Sequence, residues 1–456
     1  MLVGCSAPGS EALVDPAPSE VVASTVAPSA SAAAVATSLP AVAPIPSASA
    51  AGSAETVDPL VITLGRETVS TDFTKRPFVF SAAFDGSLRF SLWLRTIGHA
   101  RAMRRKHGKG PHYTFFVNAA FYTTTPGKSD VGKAMTHDEV VVRRSLTQQA
   151  INEGHDIADH GMGHHDGRNW SKQEWLDEFA LFHGVMDTAL FEPLRDGEGF
   201  VFPQWEPLAA ASPGETGAAC EADDECSSKR CAQLTPTLGL CTQPCNLKSK
   251  CPVGTACGAP MFREDKDLCI PLPKLPLVVD GKQMFDARGQ PNLKHPKLAR
   301  YVIKGFRAPY LAANNALYDA LSERGYQYDT SQAAGPGAPF FVKPAEAKNK
   351  ILELALILYP GAVAIPMDYN YAKLEASRET MTRDYRAAIL GSIERGNQPW
   401  NVGHHFAMWN DGAYLSVLEE TVDWVLGGCT DDAGEPRCNA AEVMSFRELA
   451  ASLGTK

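Results

Sequence analysis

The sequence predicts an α/β protein in which parallel strands alternate with helices, interrupted once by a small disulfide-rich module. Three observations lead there. Short apolar runs that end in polar residues recur between helical stretches. Eight of the eleven cysteines fall between Cys220 and Cys269. The strand-and-helix pattern stops near residue 200 and resumes near 300 on either side of that cluster.

Taken in order, structure is expected to begin near Pro77. The apolar run 78–84 reads as a buried strand that delivers Asp85 at its C-terminal tip, and 91–107, rich in Arg and Ala, reads as a helix. A second buried strand follows at 113–117, then a helix at 138–152 and a short strand at 154–158. Strand, helix, strand, helix at this spacing indicates parallel βαβ units. Residues 203–219 are loop-like, and the cysteine cluster after them lacks the apolar area for a core of its own, so disulfides must hold it. The pattern resumes with strands at 301–307, 326–329, 363–368 and 400–405 and helices at 314–324, 374–395 and 413–427. The cysteine module is thus an insertion within one barrel-like domain, divided as 77–200 and 297–456 around an insert at 215–272. No internal repeat is evident.

The 456 residues are 44% hydrophobic and 21% charged, ordinary for a globular protein with a large core. A net charge of -9 excludes nucleic acid as a partner, because phosphate binding needs a basic face. No apolar run approaches the roughly 20 residues of a membrane-spanning helix. Eight clustered cysteines read as four disulfides, and Cys429 with Cys438 as a fifth. Disulfides on that scale imply an oxidising compartment outside the cytoplasm. Cys5 stands alone. It follows Leu2-Val3-Gly4, which resembles a bacterial lipobox, and residues 6–57 are mostly Ala, Pro, Ser and Val, the composition of an extended tether. The expectation for residues 1–57 is a lipid on Cys5 followed by that tether. The lipid would be the chain's one attachment to a bacterial membrane, at the periplasmic or cell-surface side.

The chemistry concentrates at the ends of the expected strands. Residues 153–166 hold four of the twelve histidines and three aspartates, with His160 and His164 four apart, so that one turn or one tight loop can aim both at a point. Imidazole with carboxylate is the ligand set of a hydrolytic divalent metal such as zinc. In α/β barrels functional groups collect at the C-terminal ends of the strands. Here those ends carry Asp85, His160 with His164, Arg307, Asp368 and the pair His404-His405. Alternation along 400–406 groups Trp400, Val402, His404 and Phe406 on one side and leaves His405 on the other, the lumen side.

With these residues in place the sequence resembles the polysaccharide deacetylases of the NodB-homology type, carbohydrate esterase family 4. The resemblance is carried by Thr114-Phe115-Phe116-Val117, Gly154-His155-Asp156-Ile157, His160-Gly161-Met162-Gly163-His164, Arg307-Ala308-Pro309-Tyr310 and the segment 325–331, in that order. It spans about 77–200 and 297–456 and omits the tether and the insert. The resemblance implies a distorted (β/α)7 barrel and a divalent metal, zinc first with cobalt, nickel or manganese as alternatives, on Asp85, His160 and His164. It implies an acetylated polysaccharide as substrate, the backbone N–H of Tyr310 facing an oxyanion, Arg307 orienting a catalytic carboxylate, and a histidine, His405 before His404, protonating the leaving group. His155 and His165 have no role in it and read as structural.

The first motif departs from the family, which carries two adjacent aspartates where 83–87 offers only Asp85. Matching Asp-Gly-Ser makes Asp85 the metal ligand and sets Phe84 in place of the base; matching Phe-Asp makes Asp85 the base and leaves Gly86 in place of the ligand. The first matching keeps more residues and is the favoured one, with Asp166 and Asp368 as candidates for a replacement base. The expected function is a metal-dependent deacetylase removing N- or O-acetyl groups from an envelope or extracellular glycan. The competing expectation is a non-catalytic carbohydrate-binding lipoprotein on the same fold.

Overall fold

The computed structural model describes residues 62–455, apart from 132–133, 194, 197–198, 201–204, 236, 246–250, 258–266, 274–277, 280–281, 284–298, 348, 432 and 439. The expected lipid site at Cys5 and its tether lie outside the described residues.

Seven parallel strands form the centre: β1 (Val79–Asp85), β2 (Thr114–Val117), β3 (Asp156–Asp159), β4 (Gly305–Phe306), β5 (Tyr328–Asp329), β6 (Ile351–Glu353) and β7 (Trp400–His405). They run in the order β6-β5-β4-β3-β2-β1-β7. Parallel neighbours need crossovers, and α1 (Phe90–His107), α2 (His137–Asn152), α3 (Lys172–Met186) and α4 (Asn315–Arg324) supply the first four. Between β5 and β6 the described chain makes no helix; instead Phe340–Lys343 turns back antiparallel to β6 and pairs outward with Gly65–Thr68. The ordered fold therefore starts before Pro77. α5 (Asp368–Lys373) and α6 (Arg378–Glu394) precede β7, and α7 (Ala413–Leu426) and α8 (Phe446–Ser452) follow it.

Among the described residues no ladder joins β6 to β7, so the barrel is closed there by side chains. Asn401 Nδ2 donates to the carbonyls of Ala355 (2.9 Å) and Leu354 (3.3 Å), and Trp400 Nε1 donates to that of Ile357 (3.1 Å). This seam, with the missing β5–β6 helix, is what distorts the (β/α)7 barrel. Inside it, Ala83, Phe116, Ala158, Tyr328 and Leu352 pack in one cluster with Phe446 and Leu449 of α8. Gly305 is dictated by this filling, since a Cβ there would stand 1.8 Å from the Tyr328 ring. The opposite strand faces, Phe80, Ala82, Phe84, Phe115 and Ile157, belong to the larger core shared with the helices.

Three helices begin with reciprocal capping boxes, Thr136/Glu139, Ser171/Glu174 and Ser445/Glu448. Their S/T-x-x-E spacing was available to announce α3 and α8, neither of which the apolar pattern suggested. The expected strand at 363–368 is reduced to a single bridge, Met367 to Gly403, after which Asp368 opens α5.

The insert shows what the sequence concealed, a tandem repeat. Ala219–Cys220, Cys231–Thr235 and Leu238–Cys241 make one three-stranded sheet; Pro244–Cys245, Thr255–Cys257 and Asp267–Pro271 make another. In each the last strand lies between the other two, antiparallel to both. In each the first cysteine bonds the third and the second bonds the fourth: Cys220–Cys231 with Cys226–Cys241, then Cys245–Cys257 with Cys251–Cys269. The steps between cysteines are 6, 5 and 10 in the first unit and 6, 6 and 12 in the second, unequal enough to blur the repeat. Cys429–Cys438 is the fifth bond. The insert does not stand apart. Ala232, Leu234, Leu240, Ala256, Leu268 and Ile270 join the main core, with Cys231–Thr235 and Asp267–Pro271 against α1 and Thr255–Cys257 against α2. Arg101 of α1 fastens the contact, donating 2.9 Å bonds to Glu153 Oε2 and to the carbonyl of Gln233.

If the Asn401 seam closes the barrel, Asn401→Leu should strand two buried carbonyls and lower stability by about 2–3 kcal/mol. Urea unfolding monitored by circular dichroism would read this as a lower midpoint with an unchanged slope.

Candidate active site

The period of two along β1 decides where Asp85 points. Phe84 turns outward and packs against Tyr113, Phe115 and Phe406, with ring centroids 5.4, 5.6 and 5.8 Å away. Asp85 therefore enters the lumen, where Arg307 Nη1 donates to its Oδ1 at 2.7 Å and both side chains are buried. Arg307 follows directly on β4. Its Nε donates to Thr330 Oγ1 at 2.7 Å, and its guanidinium carbon lies 4.3 Å from the Phe116 ring centroid. Gly403 makes room for it, since a Cβ there would meet Arg307 Nη1 at 3.0 Å. Ser331 steadies the next residue by accepting from Ala308 N and donating to Asp329 Oδ1, both at 2.8 Å. Burial raises the Asp85 pKa, but the Arg307 charge, with His160 and His405 nearby, outweighs it and holds the carboxyl below its ordinary range.

The histidine loop leaves β3 with His160 buried. His160 Nδ1 donates to the carbonyl of Arg307 at 2.8 Å, which leaves Nε2 as the free lone pair. Gly161 turns at φ 77°, and His164 itself sits at φ 61°. Two buried carboxylates hold this bend. Asp159 Oδ1 accepts from Gly161 N at 2.6 Å, and Glu178 Oε1 accepts from Met162 N (2.7 Å) and Gly163 N (3.1 Å). The His160 and His164 rings lie 4.9 Å apart, and His164 meets Tyr310 at 4.7 Å. Burial, helped by His160, pushes the His164 pKa down to about 3, and burial lowers that of His160 too. Both are neutral imidazoles near neutral pH, the form that binds a metal.

These two donors fit a divalent ion. His160 has its second nitrogen on a backbone carbonyl, the usual brace of a metal-binding histidine, and His164 Nδ1 is buried with no partner among the described residues. Asp85 does not complete a trio. The groups of three His, Cys, Asp or Glu side chains with ligand atoms within 4.8 Å of one another are, among the described residues, cysteines of the insert that are already bonded in pairs. The favoured matching of the first motif set Asp85 beside the two histidines as a ligand, whereas here its carboxylate is engaged by Arg307. Phe84 faces the outer helices, and Asp85 faces the lumen beside Arg307 with Gly86 after it.

Asp85 pairs in register with His405 on β7. His405 lines the cavity, its Nδ1 bonded to Asp368 Oδ1 at 2.6 Å and its backbone N–H donating to Asp368 Oδ2 at 3.0 Å. Burial lowers the His405 pKa, but the Asp368 charge and hydrogen bond more than offset that and raise it above the ordinary value. His404 takes the opposite face, 3.1 Å from Tyr385 Oη and against Phe84, outside the cavity. Of the two carboxylates considered as a replacement base, Asp368 is bonded to His405 and Asp166 to Arg168, and neither is among the residues lining the cavity. His155 accepts from Tyr113 N and His165 lies 3.2 Å from Asp130; both stand outside the site.

The cavity has a volume of about 410 Å3. It is lined by Asp85, His160, His164 and His405 together with Trp409 and the exposed Tyr310 and Tyr369. Tyr310, 60% exposed, is held at φ 58° directly after Pro309. Tyr369 went unnoticed in the sequence; its signal was adjacency to Asp368 at a strand tip.

No family model and no curated protein sequence matches the chain. Solved structures do. A Mycobacterium smegmatis protein assigned to the polysaccharide deacetylases has 11% identity and a TM-score of 0.41 over 87% of this chain and 95% of that one. The Xyl-CE4 domain of a multidomain xylanase from the hindgut metagenome of Trinervitermes trinervoides has 10% identity and a TM-score of 0.34 over 83% and 92%. A family 4 carbohydrate esterase from Streptomyces lividans, in complex with acetate, has 8% identity and a TM-score of 0.30 over 76% and 88%.

His404 supplies a pH test. Burial drops its pKa to about 4, below the value near 6.5 of an unfolded chain, so its contribution is intact above pH 6.5 and is lost as pH falls from there toward 4. Between pH 6.5 and 5 the native protein should lose up to about 1.4 kcal/mol per pH unit through this residue. Urea titrations of wild type and His404→Gln at both pH values should show the smaller acid loss in the variant.

Proposed function

We propose that this protein is a carbohydrate deacetylase acting outside the cytoplasm, hydrolysing acetyl groups on a glycan. One observation carries the reading: a buried, Arg-held carboxylate and an Asp-held imidazole on adjacent strands face one cavity beside two neutral histidines. Asp85, ionised through Arg307, takes the proton of a water that attacks the acetyl carbonyl. The backbone N–H of Tyr310 faces the oxygen that gains charge. His405, kept protonated by Asp368, gives its proton to the departing amine or alkoxide, which leaves poorly without one. A divalent cation held by His160 and His164, zinc in the first instance, would supply polarisation of the carbonyl and a more acidic water. Five disulfides support a compartment outside the cytoplasm, and the lipobox-like Leu2-Val3-Gly4-Cys5 supports a lipid anchor there.

A specific observation also favours a second reading, a glycan-binding protein on this fold without catalysis: the expected three-ligand grouping is not assembled, and glycine follows Asp85. Acetate release from acetylated chito-oligosaccharides and acetylated xylan, with metal-loaded and chelated protein, separates the two. The enzyme reading expects release from one of them; silence on both sinks it. Asp85→Asn and His405→Ala should each lower kcat/KM on the order of 10²–10⁴-fold.

The working form needs Asp85 ionised and His405 protonated. Activity should therefore fall below the carboxylate range and again above the raised pKa of His405, and Asp368→Asn should move the alkaline limb to lower pH. Metal titration followed by mass spectrometry should show binding lost in His160→Ala and His164→Ala and kept in His165→Ala. Loss in His165→Ala instead would put the loop in the wrong register.

A further inference from the structure

The cavity that holds Asp85 and His405 is larger and more apolar than an acetyl group requires. At about 410 Å3 it has room for on the order of a dozen water-sized groups, and an acetyl methyl is one such group. We infer that it takes amides or esters of a longer straight-chain acyl group, about four to eight carbons, laid against a fixed apolar wall. The inference rests on the hydrolase reading for the reaction and departs from it in the group removed.

The wall consists of Leu88, Phe121, Val131, Leu311, Met367 and Phe406. Leu88, Phe121, Met367 and Phe406 are buried, and Val131 and Leu311 are half-buried. Phe406 stands beside the reacting groups, since it follows His405 and its N–H donates to the carbonyl of Asp85 at 2.9 Å. Trp93 and Phe84 back its ring, with centroids 5.1 and 5.8 Å away. Leu88 and Phe121 are pinned by one residue of α2. The fully buried Arg143 donates from Nε to the carbonyl of Ser87 (2.9 Å), from Nη2 to that of Leu88 (2.7 Å) and from Nη1 to that of Phe121 (2.7 Å). Its guanidinium carbon also lies 5.1 and 5.7 Å from the Phe90 and Phe121 ring centroids. Three backbone carbonyls on one rigid fork leave the wall formed before anything binds, as apolar ligand pockets usually are. Met367, unbranched and polarisable, is the part that can adapt to chains of different length.

The same wall matches a sugar ring poorly. A pyranose carries hydroxyls around its rim, and a hydroxyl taken from water with no partner costs free energy. None of the six wall side chains offers a hydrogen bond of ordinary strength. The two amide side chains of the lining use their donors elsewhere: Asn118 Nδ2 donates to the carbonyl of His160 at 2.6 Å and Asn370 Nδ2 to that of Ile365 at 3.3 Å. An alkyl chain loses nothing there and gains burial. The amine or alcohol that carries it then lies toward the exposed Tyr310 and Tyr369. Hydrolysis is the same for any chain length. Water adds to the acyl carbon as its proton passes to Asp85, the C–N or C–O bond breaks as His405 protonates the leaving atom, and the products are the carboxylic acid and the free amine or alcohol.

A series in acyl length is the test. The probes are glucosamines N-acylated with acetyl, butanoyl, hexanoyl or octanoyl groups, and the para-nitrophenyl esters of the same acids. Released acid from the metal-loaded full chain is measured by chromatography, and binding by calorimetry. From acetyl to hexanoyl, kcat/KM should rise about fourfold per methylene, equivalent to ~0.8 kcal/mol each. Val131→Trp, which narrows the cavity at a residue outside the reacting set, should bring the hexanoyl value down to within a few-fold of acetyl and leave acetyl unchanged. Val131→Ser should lower hexanoyl several-fold with acetyl unchanged, even if the bulkier variant does not fold. Acetyl release with no gain from longer chains, or a folded Val131→Trp that keeps the full gain, overturns the acyl pocket and leaves the deacetylase reading standing. Binding that tightens with chain length while no probe is hydrolysed supports the pocket and removes the hydrolase reading. Neither hydrolysis nor length-dependent binding overturns both.

Discussion

The buried pair of Arg307 and Asp85 is the constraint around which this barrel is arranged. A guanidinium fully removed from water needs its charge matched and its planar face supported. Asp85 supplies the first and the Phe116 ring the second, while Thr330 takes Nε. Three other choices follow. Gly403 keeps the space beside Arg307 Nη1 open, β1 presents Asp85 inward by turning Phe84 outward, and the 329–331 turn is tied down through Ser331. The carbonyl of Arg307 also fixes the tautomer of His160. One residue thereby sets the ionisation of a carboxylate and the orientation of an imidazole.

The barrel can be read from the sequence where its physics is local. β7 and α7 fall within a residue of the expected 400–405 and 413–427, because alternation and an uninterrupted helical face leave few options. The same alternation put His405 in the lumen and His404 outside. It failed for β6, where Ile351-Leu352-Glu353 hides a strand behind a carboxyl. Glu353 is buried there with its pKa raised by burial first and Asp329 second, and Tyr318 donates to it at 2.7 Å. A network of that kind is invisible until the fold brings its members together.

The first motif shows the same boundary at the scale of one residue. Counting matches favoured Asp85 as a metal ligand, since Gly86 and Ser87 then agreed as well. Sheet geometry weighs differently: an inward carboxylate beside Arg307 and an outward phenylalanine are not interchangeable, however well the flanking letters agree. The Cys220–Cys269 insert is a parallel case. Its repeat lies in pairing and strand order, which tolerate unequal loops, and not in residue identity.

That insert has a bearing on how the chain matures. Every residue of α2 from Leu146 to Asn152 is buried, because the barrel covers one face and the second cystine unit lies against the helix as well. Until Cys245–Cys257 and Cys251–Cys269 have formed, that second covering has no frame. In the folded chain the cover over α2 therefore carries two covalent closures that form only on oxidation, although no cysteine is among the residues lining the cavity.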